Sequence, residues 1–253
     1  MAALSGCSSS DAASEWGRTQ QPILRGQIDR EHPQVMVLAD RAGFLCTGTL
    51  IDVRGRTGFL LTAAHCVTEE DARATRIPPE RFLVISGDDF ETSTTAFPVE
   101  AIQVNPGYDG TFAVDDVAVV RLDLGDVKPP PAIPPLSASE DTLRVSDSLV
   151  LVGFGQTERS AENSVRRHVS RAIDELDDDV VTYSQADGKG TCFGDSGGPA
   201  LVTVNGAERI AAITSGGVGS ADDCSGGIGV SMRVSAFSGF IESAIDALGA
   251  GSN

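Results

Sequence analysis

The chain is short of basic residues, of histidine and of long apolar stretches. Lysine and arginine number 19 against 36 aspartates and glutamates, which gives a net charge of −17. Binding to phosphate backbones needs a basic face, so nucleic acid is excluded as a partner. No apolar stretch approaches the roughly 18 residues of a membrane-spanning helix, and no such helix is expected. Only three histidines are present, which limits where a catalytic base can lie.

Glycine is abundant, and one serine lies in a cluster of glycines. Residues 191–199 read TCFGDSGGP, with Ser196 between Asp195 and two glycines. Glycines allow the backbone to approach a reacting carbonyl, and the N–H groups of Gly194 and Ser196 can point at a developing oxyanion. A serine hydroxyl is a weak nucleophile that needs a base oriented by a third group. Ser196 is therefore the candidate nucleophile, with Gly194 and Ser196 as the candidate oxyanion hole.

Candidates for the base and its orienting group lie upstream. His65 stands in the sequence LTAAHC and Asp116 in DDVAVV. All three histidines precede Ser196, whereas in α/β-hydrolases, which share the G-x-S-x-G pattern, the histidine follows the serine. No aspartate upstream of His65 lies in a recognisable motif of the subtilisin order. The three motifs in the order His–Asp–Ser resemble the trypsin/chymotrypsin family of serine proteases.

The resemblance implies a mechanism and a function. Ser196 attacks the scissile carbonyl, His65 accepts its proton and later gives it to the leaving amine, and Asp116 holds the imidazole. Asp116 is favoured over Asp115 because the family aspartate directly precedes the apolar part of the strand. The implied function is a serine endopeptidase that acts on polypeptides through an acyl-enzyme. We expect no cofactor, no metal and a monomer.

Two other functions share these motifs. A trypsin-fold binding protein (a pseudoprotease) with weak catalysis is one, although the intact catalytic residues argue against it. An esterase on the same fold is the other, because ester and amide cleavage use the same groups. Labelling with an active-site-directed organophosphate or sulfonyl fluoride distinguishes an enzyme from a binding protein.

The resemblance also implies a specificity pocket. The pocket residues that it implies are Gly190, Thr191, Ser215, Gly217 and Gly229. Trypsin-like enzymes carry an aspartate six residues before the nucleophile, where this chain has Gly190. An uncharged, deep pocket suits large apolar or aromatic side chains. Basic side chains remain the alternative, because three aspartates lie in nearby loops: Asp187, Asp222 and Asp223.

Ser215 aligns with the serine that supports the catalytic aspartate in the family. The family usually has a bulky aromatic residue next, where this chain has Gly216. We therefore expect the substrate cleft to be open on this side.

Four of the five cysteines occupy family positions. The resemblance implies the disulfides Cys46–Cys66 and Cys192–Cys224, each worth roughly 3 kcal/mol by loop-closure entropy. Two disulfides imply an oxidising compartment.

Cys7, the fifth cysteine, follows LSG and precedes three serines, which resembles a bacterial lipobox. We expect a lipid on Cys7 that tethers an exported protein to a membrane, with a plain processed leader as the alternative. The expected locations are the periplasm, the outer membrane or the extracellular space, and the expected relatives are bacterial.

The sequence ILRG at residues 23–26 stands where the family has its new amino terminus after activation. In the family, the freed isoleucine amine pairs with the aspartate before the nucleophile. The implied activation pair is Ile23 with Asp195. Pro22 stands where the family is normally cut after a basic residue, so zymogen activation remains open.

The remaining sequence predicts an all-β fold. Short apolar or β-branched runs separated by turn residues predict twelve strands between residues 34 and 234. Apolar residues at helical spacing predict a helix over residues 235–248. The resemblance implies two six-stranded antiparallel β-barrels of the chymotrypsin type. The expected divisions are a leader at 1–22, a first barrel at 23–127, a proline-rich connector at 128–139, and a second barrel with the helix at 140–253.

Overall fold

A computed structural model of the protein describes residues 23–69, 71, 74–156, 164–219 and 224–250. The expected leader with Cys7 lies outside the described residues, as do Asp222 and Asp223. Among the described residues, no helix is both long enough and apolar enough to cross a membrane.

The described residues contain fourteen strands and one α-helix, with short 3₁₀ helices between them. The strands are β1 (Gln27–Ile28), β2 (Val35–Asp40), β3 (Leu45–Arg54), β4 (Thr57–Thr62), β5 (Phe82–Ser86), β6 (Thr95–Val104), β7 (Ala118–Asp123), β8 (Ser148–Gly153), β9 (Arg167–Ala172), β10 (Glu175–Leu176), β11 (Val180–Ser184), β12 (Pro199–Val204), β13 (Ala207–Val218) and β14 (Ile228–Arg233). The helix α1 is Ser238–Gly249. All twelve predicted strands are present, and only the two-residue strands β1 and β10 were not predicted.

The first barrel closes in the order β2-β3-β4-β7-β6-β5, with antiparallel pairing throughout. Alternate side chains of these strands point inward, because the side-chain period of a strand is two. Leu60 of β4 pairs with Leu50 of β3 on one side and with Val120 of β7 on the other. All three side chains are fully buried. This packing fixes the register of β4 and β7, and residues just beyond these strands carry catalytic candidates.

The second barrel is an eight-stranded antiparallel sheet in the order β1-β9-β8-β12-β13-β14-β11-β10. Its six longer strands are the ones predicted for this barrel, and the two-residue strands extend the sheet at either end. The expected fold of two barrels with a C-terminal helix is confirmed.

Both the first and the last elements of the described chain contact the barrel that is distant from them in sequence. Strand β1 pairs with β9, so residues 27–28 join the second sheet, whereas the sequence analysis assigned residues 23–127 to the first barrel. The boundary is corrected because Ile23 also packs in the second core. At the other end, Arg121 of β7 donates a hydrogen bond of 2.9 Å to the carbonyl of Leu248 in α1. The assigned connector bonds to the first barrel through Ile133 and to the second through Leu136.

Candidate active site

His65 and Asp116 come together because β4 and β7 are paired. His65 lies in a 3₁₀ helix just after β4, and Asp116 lies just before β7. Thr62 at the end of β4 pairs with Ala118 at the start of β7. The Nδ1 atom of His65 lies 2.7 Å from Oδ2 of Asp116, and the His65 backbone N–H donates to Oδ1 at 2.9 Å. Both atoms of the carboxylate therefore hold the histidine.

Asp116 is positioned to stay ionised. Its side chain is 2% exposed, and the Ser215 hydroxyl donates to Oδ2 at 2.6 Å. Burial alone would raise the pKa of Asp116, but the hydrogen bonds and the charge attraction of His65, together with the Ser215 bond, bring the pKa below its usual value. An ionised acceptor at Nδ1 selects the tautomer with its proton there, so the Nε2 atom of His65 is free to accept a proton.

Ser196 is fixed through its backbone. Its carbonyl accepts the Thr47 N–H at 2.8 Å, and the next residue, Gly197, donates to the Thr214 carbonyl at 2.8 Å. A Cβ at Gly197 would collide with the Thr62 hydroxyl and the Thr47 carbonyl, and φ is +76° there, so only glycine fits. In the part of the chain that the structure describes, the Ser196 hydroxyl forms no hydrogen bond to His65. Catalytic hydrogen bonds of this kind often tighten only when substrate binds.

The oxyanion candidates form a tight turn before Ser196. Gly194 has φ +100°, a conformation that favours glycine. Its carbonyl accepts a hydrogen bond of 2.8 Å from the Thr47 hydroxyl. The backbone N–H groups of Gly155 and Cys192 donate to the Asp195 carboxylate at 2.7 and 2.9 Å. Within the described ranges, the Gly194 N–H donates no backbone hydrogen bond, so it is available to an oxyanion.

The Asp195 carboxylate is 1% exposed. Burial raises the pKa of Asp195 to about 7, although its two backbone hydrogen bonds lower the pKa in part. Among the described residues, no cation pairs with Asp195. Ile23 is also buried, and its neighbour Leu24 forms a β-bridge with Gly190, four residues before Gly194. The Ile23 nitrogen is joined to Pro22 in the intact chain, so the expected pair with Asp195 is not formed there.

The residues around Gly190 and Gly229 form a neutral polar surface. Gln185 accepts the Thr191 N–H at 2.8 Å and donates to the carbonyls of Thr191 and Cys224 at 3.2 and 3.3 Å. The buried Tyr183 hydroxyl lies 3.2 Å from the Thr191 hydroxyl, and its ring fills the place that a Cβ at Gly229 would take. Gly217 pairs directly with Gly229 across β13 and β14.

Asp187, one of the three loop aspartates, is engaged elsewhere. It forms a two-pronged ion pair with Arg171, with distances of 2.7 and 3.0 Å. The carboxylate is half exposed, and Arg171 also donates to the carbonyls of Ser184 and Lys189. Asp187 therefore adds no unpaired negative charge to the pocket.

The side of the cleft next to Ser215 is not open as expected. A Cβ at Gly216 would lie 2.7 Å from Cε2 of Phe112, so an aromatic ring already occupies that space. Phe112 comes from the first-barrel loop that leads to Asp116, and it is half exposed. The expectation is corrected: the missing aromatic side chain of Gly216 is replaced by one from the other barrel.

A sequence model described as Trypsin matches residues 25–241. The chain belongs to the trypsin family. Both disulfides expected of this trypsin-family protein are formed, Cys46–Cys66 and Cys192–Cys224. The sulfurs of Cys46 and Cys66 lie within 4.8 Å of a His65 ring nitrogen, but the disulfide leaves no thiolate to bind a metal.

Three curated relatives are similar to this trypsin-family protein. CLIP domain-containing serine protease B10 of Anopheles gambiae is 28% identical and aligns with 77% of this chain and 59% of its own length. Serine protease Hayan of Drosophila melanogaster is 26% identical over 87% of this chain and 38% of its own length. Trypsin epsilon of Drosophila erecta is 24% identical over 76% and 75%. The chain thus spans about half the length of the first two, and these animal proteins give no support to the expected bacterial type.

Sequence reasoning missed four residues that shape this site: Thr47, Phe112, Tyr183 and Gln185. Thr47 adjoins Cys46, and that adjacency was the one signal that placed it near His65. Phe112 precedes Asp116 by four residues in a loop whose path no periodicity predicts. Tyr183 lies near the end of β11 and Gln185 directly follows it. The sequence predicts the strand there but does not show which groups these two side chains contact.

Proposed function

We propose that this trypsin-family protein is a serine endopeptidase with Ser196 as nucleophile, His65 as base and Asp116 as the group that orients the base. The observation that carries the proposal is the buried Asp116 carboxylate, which accepts bonds from the His65 ring and backbone and from Ser215. This array places a buried carboxylate whose pKa is lowered against Nδ1 of the histidine. It suits a base whose protonated form must be stabilised.

The reaction proceeds in two halves. The Ser196 Oγ attacks the peptide carbonyl carbon while its proton passes to Nε2 of His65, and the carbonyl electrons move onto the oxygen. The N–H groups of Gly194 and Ser196 bind that oxyanion. His65 then gives the proton to the leaving amine, which departs as the acyl-enzyme forms. In the second half, water attacks the acyl carbonyl carbon and gives its proton to Nε2 of His65. His65 then returns this proton to the Ser196 oxygen as the carboxylic acid leaves.

Site-directed variants test these roles. Ser196→Ala and His65→Ala should each lower kcat for a peptide substrate by about 10⁴-fold or more, and Asp116→Asn by about 10⁴-fold. The combined variant should lose little beyond Ser196→Ala, because the groups act as a unit. Ser243→Ala, on the exposed face of α1, is the matched control and should keep the parent activity. A fluorophosphonate should label the parent at Ser196 and leave Ser196→Ala unlabelled.

Each alternative function has its own outcome. A folded protein that begins at Ile23 and neither cleaves peptides nor reacts with the fluorophosphonate would be a binding protein. Labelling at Ser196 with hydrolysis of esters but not of peptides would indicate an esterase. Peptide cleavage that survives Ser196→Ala would contradict the proposed mechanism.

We infer that the specificity pocket accepts large apolar or aromatic side chains. Gly190 leaves the base without a carboxylate, and the polar groups of Gln185 and Thr191 are bonded to each other. An arginine or lysine would meet no opposite charge from the described residues there, at a cost of several kcal/mol of desolvation. Cleavage of a peptide library should follow Phe, Tyr or Leu, and a strict preference for Arg or Lys would refute this assignment.

We also propose that activation requires a cut before Ile23. Burial without a neighbouring cation disfavours the ionised form of the Asp195 carboxyl. A freed α-amine at Ile23 would supply that cation. The Leu24–Gly190 bridge supports this route because it holds residue 24 beside the oxyanion turn before any cut.

Amino-terminal sequencing of the active enzyme tests the activation proposal. The active form should begin at Ile23, and its activity should fall above about pH 8 as the amine loses its proton. Full activity in a chain that still carries residue 22 would show that Asp195 needs no amine partner.

We propose further that the protein is exported and carries a lipid on Cys7, on the basis of the sequence LSGC alone. Intact-mass measurement of the protein from its native membrane fraction should show a diacylglyceryl mass on Cys7. An unmodified thiol, or a disulfide from Cys7 to another cysteine, would contradict this proposal.

A further inference from the structure

Thr47 forms four hydrogen bonds, two of which connect the first barrel to the oxyanion turn. It follows Cys46 in β3 and is fully buried. Its backbone N–H donates to the Ser196 carbonyl at 2.8 Å, and its carbonyl accepts the Thr62 hydroxyl at 2.9 Å. Its own hydroxyl donates to the Gly194 carbonyl at 2.8 Å and accepts the Phe154 N–H at 3.3 Å. Every polar atom of Thr47 is thus directed at the catalytic machinery or its support.

The hydroxyl of Thr47 bonds to Gly194, the residue whose N–H must be oriented toward the oxyanion. The Gly194 N–H is the oxyanion donor, and the Gly194 carbonyl lies at the other end of the same residue. Glycine at φ +100° has little intrinsic barrier to rotation, so this donor needs an external constraint. Thr47 holds the carbonyl on one side, and Gly155 holds the next residue, Asp195, on the other.

The bonds of the hydroxyl also have a fixed direction. Because the Phe154 N–H can only donate, the Thr47 oxygen accepts there and its hydrogen goes to the Gly194 carbonyl. The chain of bonds therefore runs from the end of β8 through Thr47 to the oxyanion turn. A side chain without a hydroxyl would break both bonds at once.

We propose that Thr47 is a positioning residue that orients the Gly194 N–H for the oxyanion. The proposal rests on the proposed endopeptidase function. Transition-state stabilisation by such donors depends on their preorganisation, and small displacements reduce rates about 100-fold. Loss of the hydroxyl should therefore reduce kcat and leave substrate binding in the ground state almost unchanged.

Thr49 provides a matched control in the same strand. It is also a fully buried threonine of β3, but its hydroxyl has no hydrogen-bond partner. Thr47→Val and Thr49→Val remove the same atom from neighbouring positions with the same side-chain direction. Thr47→Ser restores the hydroxyl without the methyl group.

The experiment compares these variants in the active enzyme, with folding checked by near-ultraviolet circular dichroism. Thr47→Val should lower kcat by about 10- to 100-fold with KM within about 2-fold. The affinity for a peptide aldehyde, whose adduct with Ser196 carries an oxyanion, should fall by the same factor as kcat/KM. Thr47→Ser and Thr49→Val should stay within about 3-fold of the parent. If Thr47→Val does not fold, Thr47→Ala should show the same loss of kcat.

Three outcomes would overturn the positioning role. The first is a folded Thr47→Val enzyme with parental kcat, and the second is a Thr47→Ser enzyme as slow as Thr47→Val. The third is an equal loss in Thr49→Val, which would indicate a general sensitivity of β3. If the unsubstituted chain beginning at Ile23 neither cleaves peptides nor reacts at Ser196, that result would instead refute the proposed function, and the positioning role with it.

Discussion

The free energy of unfolding should fall by about 3 kcal/mol between about pH 6 and pH 10 because of one buried histidine. The Nδ1 atom of His32 lies 2.6 Å from Oδ2 of Asp29, and Nε2 lies 3.0 Å from Oε1 of Glu208. Both ring nitrogens face carboxylates, so the ring bonds both only when it carries both protons. Burial alone would lower the pKa of His32, but these bonds and the charge attraction raise it to about 9.

The other groups at this cluster hold Asp29 ionised throughout that range. Arg166, fully buried, lies 3.3 Å from Oδ1 of Asp29, and Nδ1 of His168 lies 3.1 Å from Oδ2. Burial raises the pKa of Asp29, but the bonds from His32 and the charge of Arg166 keep it well below its usual value. The group that titrates on the alkaline side is therefore His32.

The size and sign follow from linkage. The pKa of His32 rises from 6.5 in the unfolded chain to about 9 in the folded protein, and each unit corresponds to about 1.4 kcal/mol. Because the folded pKa is the higher one, this stability is fully present below about pH 6.5 and is lost as the pH passes 9.

Urea unfolding of the Ser196→Ala protein, which cannot digest itself, measures the effect. The decisive quantity is the difference between this parent and the same protein with His32→Asn, since other groups also titrate near pH 10. The parent should lose about 3 kcal/mol more than the His32→Asn protein across the range. Glu208→Gln should remove the smaller share, because Glu208 is 46% exposed. Equal pH dependence in the parent and His32→Asn, or a folded His32 pKa below about 7 by NMR, would refute the reasoning.

Two further predictions concern packing and chain entropy. Replacing both cysteines of Cys46–Cys66 by serine should reduce the free energy of unfolding by about 3 kcal/mol, and removing Cys192–Cys224 should cost nearly the same, about 0.4 kcal/mol more for its longer loop. Urea unfolding checks both, and a loss below about 1 kcal/mol from either replacement would contradict the loop-entropy account. Phe112→Ala should raise KM for extended peptides about 10-fold with kcat nearly unchanged, because the ring forms a wall of the cleft over Gly216. An unchanged KM for both long and short substrates would show that Phe112 does not contact substrate.

The strands and the helix could be predicted because they depend on local patterns. Short apolar or β-branched runs bounded by turn residues mark β2 to β9 and β11 to β14, and apolar residues at a period near 3.6 mark α1. β1 and β10 contain two residues each, too few to show any period. The pairing of β1 with β9 likewise depends on partners that lie 139 to 141 positions apart, and no local pattern specifies such a pair.

The motif around the candidate nucleophile predicted its own neighbours because one short segment contains both the reactive residue and the glycines it requires. In the turn around Ser196, the glycines and the serine are contiguous. The pocket was predicted from glycines at the family's pocket positions. Such positions indicate where space exists, but they do not show which side chains fill it. Tyr183 enters beside Gly229, and Phe112 enters over Gly216.

The contacts that sequence could not predict share one physical property. They join residues far apart in the chain, and each is specific only in the folded geometry. The Thr47 hydroxyl meets the Gly194 carbonyl across 147 positions, and Arg166 meets Asp29 across 137. A threonine in a strand is normally explained by its β propensity. Its hydroxyl contributes a hydrogen bond only where the fold places an acceptor opposite it. Thr49, with the same residue type in the same strand, finds no acceptor. The difference between these two threonines therefore lies in the approach of the second barrel, which only the folded structure contains.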